Sequence, residues 1–397
     1  MSKEDLVSSI VYLLMIAVAV AVGYVMLAPI IQKNYLSSGG VLFCFLILSL
    51  IIGLIINSIL VEIGHLVGAK IGKYEILAFN ILGLAIYKVK EKDKYLFKFK
   101  FPKTFDGLTG ETLITPKNDK ARPMLFVFLP LVMFLIEVLG CICAFLYIAD
   151  TKSNDGLMFL KYGILISTIV GSMIVIYDYF PSRLDNMNDG YRLVLLNKKI
   201  NIDAFNELLR IQRNEFFNEP NNNIRQFEQI TDFTAQVNMM GAEQAIDNNY
   251  EYSLAIIDNI LSQKDKISKN TLFDIKLTKC FILFLYKDVE EGKTFYLNEF
   301  NDEERKRISS CNRIDTIKVY LLYAGLVEKS DSEVEYALEK SIKALRKALP
   351  GVKDKEKKLL DLAINKVKAK EENVWKRNWK NLNYLKNLKH LFLRAMH

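Results

Sequence analysis

The chain has 397 residues, is 51% hydrophobic, and carries 53 basic against 45 acidic side chains for a net charge of +8. Its five cysteines show no CxxC or finger spacing, which argues against a disulfide framework or a structural zinc. The long apolar runs fall in the first half, so the positive charge reads as basic loops at a membrane and no nucleic-acid partner is expected.

A first apolar segment covers residues 6–31. It is too long for a signal peptide and lacks a small-residue cleavage site, so a retained transmembrane helix is expected. A second begins at Val41 and closes on Asn57-Ser-Ile-Leu-Val61-Glu62-Ile-Gly-His65-Leu-Val-Gly-Ala-Lys70. A third covers residues 123–148 and a fourth 157–180. Between the second and third lies a loop rich in lysine, including Lys88, Lys90, Lys94, Lys98 and Lys100, whereas the other two connections hold only Lys33 and Lys152. The positive-inside rule then places the basic loop and both termini in the cytoplasm of a multi-pass cell-membrane protein. Glu62 and His65 fall near the cytoplasmic face. The abundance of Lys, Asn and Ile suggests an AT-rich bacterial source.

Within the basic loop, Tyr95-Leu-Phe-Lys-Phe-Lys-Phe101 alternates at period two, a strand signature, so a small sheet at the membrane surface is expected. From Tyr191 onward the pattern is helical and polar. Residues 251–261 are echoed by 335–345, which suggests helix pairs of the tetratricopeptide kind. The tail from Lys366 sets Trp375, Trp379, Leu382 and Leu385 among lysines. That is the pattern of a last packed helix, or of a basic amphipathic helix on membrane lipids. The expected fold class is an all-α membrane protein with four transmembrane helices, a small β element in the cytoplasmic loop and a soluble tetratricopeptide-like domain. Its parts are residues 1–40, a membrane core 41–195 with loop 74–122, a helical domain 196–365 that recruits a cytoplasmic protein partner, and the tail 366–397.

Glu62 and His65 are the polar pair in a segment otherwise fit for lipid, and ionisable groups there mark functional sites. Three residues apart on a helix, they share a face. Their spacing is that of the zinc motif His-Glu-x-x-His, with Val61 in the first position. A second polar island follows the fourth segment: Asp178-Tyr-Phe-Pro181, then Asp189-Gly190, a turn dipeptide able to present a carboxylate to a neighbouring helix.

Glu-x-x-His ending one helix, a proline and Asp-Gly ending the helix two later, and a basic strand-like loop between them resemble the site-2 protease family of intramembrane metalloproteases, peptidase family M50. The resemblance covers about residues 41–195. It implies zinc as cofactor, Glu62 as the water-activating base, and His65 and Asp189 as metal ligands. Asp178 to Pro181 matches the family's Asn-x-x-Pro, and Leu129-Pro130 matches its Gly-Pro in part. Valine has no donor atom, so Val61 removes one ligand; Asn57 is a poor substitute, and Asp185 is the nearest spare carboxylate. Three readings follow. The first is a degenerate homologue that binds a transmembrane or extended peptide. The second is an active protease with an altered ligand set. The third is a membrane scaffold or transport accessory in which Glu62 and His65 only hold the bundle together.

Overall fold

A computed structural model describes residues 10, 13–14, 16–18, 20–21, 24–25, 39–81, 84–91, 94–100, 112–149, 155–181, 187–348 and 350–375. The chain divides into two compact units, the first running to Leu209 and the second built from Arg210 onward.

Three helices among the described residues are long and apolar enough to cross a membrane. They are α1 (Gly39–Ile71), α2 (Pro123–Ala149) and α3 (Asp155–Tyr179). The first apolar segment lies largely outside the described residues; those described between Ile10 and Val25 are helical and exposed. Close packing of the three long helices relies on small residues, as helix association in lipid generally does. A Cβ on Gly64 would stand 2.4 Å from the Pro130 Cα, and one on Gly68 2.5 Å from the Leu125 carbonyl oxygen. On the other side of α1, a Cβ on Gly53 would meet the Ser167 Cα at 3.1 Å. The α1–α3 seam also carries hydrogen bonds. Asn57 Nδ2 donates to the Gly53 carbonyl (2.8 Å), the Ser167 carbonyl (3.1 Å) and Ser167 Oγ (3.2 Å). Ser167 Oγ in turn donates to Glu137 Oε1 on α2 at 3.2 Å.

The end of α1 turns the chain back on itself. Gly72 N–H donates to the Gly68 carbonyl at 2.8 Å, and Lys73 takes a left-handed φ of 64°. This is a helix-terminating conformation, and it launches β1 (Tyr74–Ile81). With β2 (Leu84–Glu91), β3 (Lys94–Lys100) and β4 (Thr112–Pro116), β1 forms an antiparallel sheet of order β3-β2-β1-β4. The alternating stretch is therefore a strand, β3. Residues 101–111 lie outside the described residues. The short α4 (Asp189–Leu196) and the start of α5 (Lys199–Phe216) complete the unit.

The second unit is helical: α6 (Asp232–Ala245), α7 (Tyr250–Leu261), α8 (Lys269–Tyr286), α9 (Val289–Glu299), α10 (Asp302–Ser310), α11 (Ile314–Tyr323), α12 (Asp331–Lys347) and α13 (Pro350–Trp375). Both echoed stretches are helices, within α7 and α12. Side-chain caps define several starts. Thr231 with Thr234 and Asn301 with Glu304 form capping boxes, which satisfy backbone N–H groups that have no partner within the helix. The core gathers Phe273, Phe281, Phe284, Phe300, Leu322 and Leu360. Beside it Lys355 Nζ lies 2.7 Å from Glu215 Oε1 and 3.0 Å from Glu243 Oε2. The tail beyond Trp375 lies outside the described residues.

Candidate functional site

The site lies where α1 packs on β1 and β4 and α4 packs on α2 and α3. His65 comes from α1 and Asp189 from the first turn of α4; His65 Nε2 lies 3.2 Å from Asp189 Oδ2. The two polar islands of the sequence thus meet in one place. Asp189 is buried, at 3% exposure. Its position depends on Asn188, whose side chain accepts from Tyr191 N–H at 3.0 Å and donates to the Tyr177 carbonyl at 3.0 Å and the Phe180 carbonyl at 2.5 Å. The Asn side chain caps α4 and fastens it to the end of α3. Gly190 is required by that closeness, since a Cβ there would stand 2.1 Å from the Tyr179 carbonyl oxygen.

The ring of His65 is oriented from its other nitrogen. Nδ1 lies 3.2 Å from the Phe126 carbonyl oxygen, and the ring packs on Phe126 with centroids 4.9 Å apart. A carbonyl only accepts, so Nδ1 carries the hydrogen and Nε2 of the neutral ring presents a lone pair. That lone pair faces Asp189 Oδ2, a buried oxygen with no hydrogen-bond donor among the described residues. Two acceptors at this distance call for a proton or a cation between them. Asp189 Oδ1 is the engaged oxygen, accepting from Arg192 Nη1 at 3.2 Å. Burial pushes the Asp189 carboxyl up to about 6, against the pull of the Arg192 guanidinium.

Glu62 is buried at 2% exposure, and Thr112 of β4 donates its hydroxyl to Glu62 Oε2 at 3.1 Å. Val61, beside it in sequence, is 7% exposed. Asn57 is committed to the α1–α3 seam. Asp185 lies outside the described residues. Four contributors were not assigned from sequence. Arg192 stands one turn after Asp189, a spacing that could have revealed it. Asp178 belongs to the quoted Asp-x-x-Pro match, and its Oδ1 accepts from the Asp189 N–H at 3.5 Å. Thr112 and Phe126 left no sequence signal, because only the tertiary fold brings them to Glu62 and His65.

Zinc in a peptidase takes three protein ligands and keeps one position open. With bonds of about 2.0–2.1 Å, two ligands on a tetrahedral ion stand roughly 3.3 Å apart, so the His65–Asp189 spacing suits two of them. No group of three His, Cys, Asp or Glu side chains able to hold a metal occurs among the described residues. The position that would supply the missing donor is the apolar Val61. The residues present therefore offer two donors where a peptidase zinc needs three, and do not fit the ion.

No protein-family model, curated protein or solved structure matches this chain.

Proposed function

We propose that this chain is a membrane protein of the site-2 protease kind whose hydrolytic centre is degenerate, and that it binds a transmembrane or extended peptide beside Glu62, His65 and Asp189. The observation that carries this reading is the 3.2 Å approach of His65 Nε2 to Asp189 Oδ2. It joins residues more than a hundred positions apart, in the order and at the helix ends that the family resemblance requires. The lost donor at Val61 is the reason for reading the centre as degenerate. The outer edge of β4, next to the strand residue that bonds Glu62, suits capture of an extended peptide by edge pairing. In this reading the first apolar segment is a fourth span, the basic sheet faces the cytoplasm, and the second unit is a tetratricopeptide-like module for a cytoplasmic protein.

The test combines two measurements on the full chain in micelles. A photo-crosslinking amino acid replaces Thr112, and a hydrophobic transmembrane peptide is titrated in; bound metal is measured after incubation with zinc. Saturable crosslinking without peptide cleavage and without stoichiometric zinc is the expected result. Failure to capture any peptide overturns the reading. One zinc per chain, lost in His65→Ala, would instead support a working peptidase whose third ligand comes from elsewhere.

A further inference from the structure

The connection between α5 and α6 is fifteen residues long, 217–231. No other described connection between helices of the second unit exceeds seven. Connections in helical bundles usually hold roughly two to eight residues, and much longer ones without structure of their own tend to be functional. Residues 219–230 form neither helix nor strand.

Side chains of α6 hold this stretch by its backbone. Gln244 donates its Nε2 to the Asn221 carbonyl. Asn238 Oδ1 accepts from the Phe227 N–H at 2.8 Å, while its Nδ2 donates to the Phe227 carbonyl at 2.8 Å. Thr234 donates its Oγ1 to the Gln229 carbonyl at 2.8 Å. Helix positions three or four apart share a face, so Thr234, Asn238, Gly241 and Gln244 form one stripe. The stretch runs along that stripe antiparallel to α6. At Gly241 a Cβ would stand 2.3 Å from Gln226 Nε2 and 3.4 Å from Ile224 Cγ2. The bare backbone there is what lets the chain lie so close.

An amide that both gives and takes a hydrogen bond with one residue does what a neighbouring strand would do. Such a grip reads backbone and is indifferent to the side chain. Selection is left to two anchors three residues apart. Phe227 is 4% exposed and Ile230 1% exposed. Ile230 enters the cluster of Ala235, Ala242, Ile257 and Ile260. Arg225 covers Phe227, its guanidinium carbon 4.7 Å from the ring centroid. In contrast Asn222, Asn223, Gln226, Glu228 and Gln229 are exposed. Main-chain bonds for affinity and a few pockets for specificity are the features of a bound extended peptide.

We propose that residues 221–230 are a built-in ligand occupying a peptide-docking groove along α6. The partner is an unstructured segment of another protein, with an aromatic and an aliphatic side chain spaced as Phe227 and Ile230 are. It docks by displacing the chain's own segment. A tethered segment competes from an effective concentration of the order of millimolar, so the groove stays shut to weak or wrongly spaced peptides. The proposal rests on reading the second unit as a module for another protein. It does not involve His65 or Asp189, so peptide binding at α6 and crosslinking at Thr112 fail separately.

The test uses the full chain in micelles and a fluorescein-labelled peptide with the sequence of residues 221–230, followed by anisotropy. Phe227→Ser disables the tethered copy and leaves α6 intact. The Phe227→Ser chain is expected to bind the peptide saturably, and the unaltered chain about tenfold or more weakly. A peptide N-methylated at the phenylalanine lacks the N–H that Asn238 accepts, and should bind about tenfold more weakly than the plain one. No binding by a Phe227→Ser chain that keeps its circular dichroism overturns the proposal. Equal binding to both chains means the peptide sits elsewhere and also overturns it. Equal binding of the methylated peptide overturns the grip of Asn238. Hydrogen exchange on the unaltered chain needs no variant. The Phe227 amide should exchange faster than those in the middle of α6, because the segment detaches while the helix stays folded. Exchange of both in a single step would make the stretch an integral part of the fold and overturn the proposal.

Discussion

Pro130 has no N–H to give the Phe126 carbonyl four residues earlier, and His65 Nδ1 lies 3.2 Å from that oxygen. A proline inside a helix always frees one carbonyl in this way. Here the freed acceptor selects the tautomer of a ring on a different helix. Tyr179 closes the next gap, donating to the Val127 carbonyl at 2.6 Å and accepting from Leu131 N–H at 3.2 Å.

Pro130→Ala should therefore disturb His65 without touching it. Restoring an N–H at position 130 gives Phe126 its helical partner and removes the preference for hydrogen on Nδ1. Imidazole nitrogen NMR is well suited to this, since the chain has only three histidines. The wild type should show an Nδ1–H ring at His65, and the variant a mixture of tautomers. An unchanged spectrum would mean that the carbonyl does not set the proton.

Glycine substitutions should separate close approach from mere helix content. Gly64→Ala forces a methyl against the Pro130 backbone and should destabilise the bundle by about 1–3 kcal/mol. Gly190→Ala should do the same to the seating of Asp189. At Gly140 nothing lies within 4 Å of an added Cβ, so Gly140→Ala should be neutral or stabilising by up to about 1 kcal/mol. Thermal unfolding in micelles checks all three.

In the second unit, Lys355 is the cation between Glu215 and Glu243. Burial pushes the Glu243 carboxyl up, but Lys355 and Lys318 outweigh it and hold it below the usual range. Lys355→Met leaves both carboxylates without that partner, and removing one member of such a buried cluster costs about 3–5 kcal/mol. Replacing Glu215 and Glu243 by glutamine in the same chain should recover most of the loss. Denaturant titrations followed by circular dichroism measure both.

Asp274 gives a pH dependence of defined sign. Burial raises its carboxyl to about 6, with Asp315 adding to the effect and Arg313 opposing it. The folded chain then holds a proton between about pH 4 and 6 that the unfolded chain has released. Stability from this group is greatest below about pH 4 and falls as pH rises to 6. The side chain is 29% exposed, so the effect is of the order of 1 kcal/mol after allowance for solvent screening. Asp274→Asn should flatten the slope over that interval.

How much was legible in the sequence differs by element. The long helices α1, α2 and α3 were readable because long unbroken apolar runs mark them, and β3 because Phe97, Phe99 and Phe101 alternate with lysine. The four-stranded order was not readable: β4 joins the sheet on the far side of β1, and five residues carry no register of their own. His65 and Asp189 stood out as polar islands in apolar surroundings. Thr112 and Phe126 were invisible because one is an ordinary strand residue and the other contributes only its backbone oxygen.

The Asn57 amide has a mechanical consequence. It grips α3 at the Ser167 carbonyl and hydroxyl, so neither helix can slide or turn about its neighbour without abandoning those contacts. In the proposed reading, a peptide then reaches the buried acid and imidazole from the flank where β4 bonds Glu62.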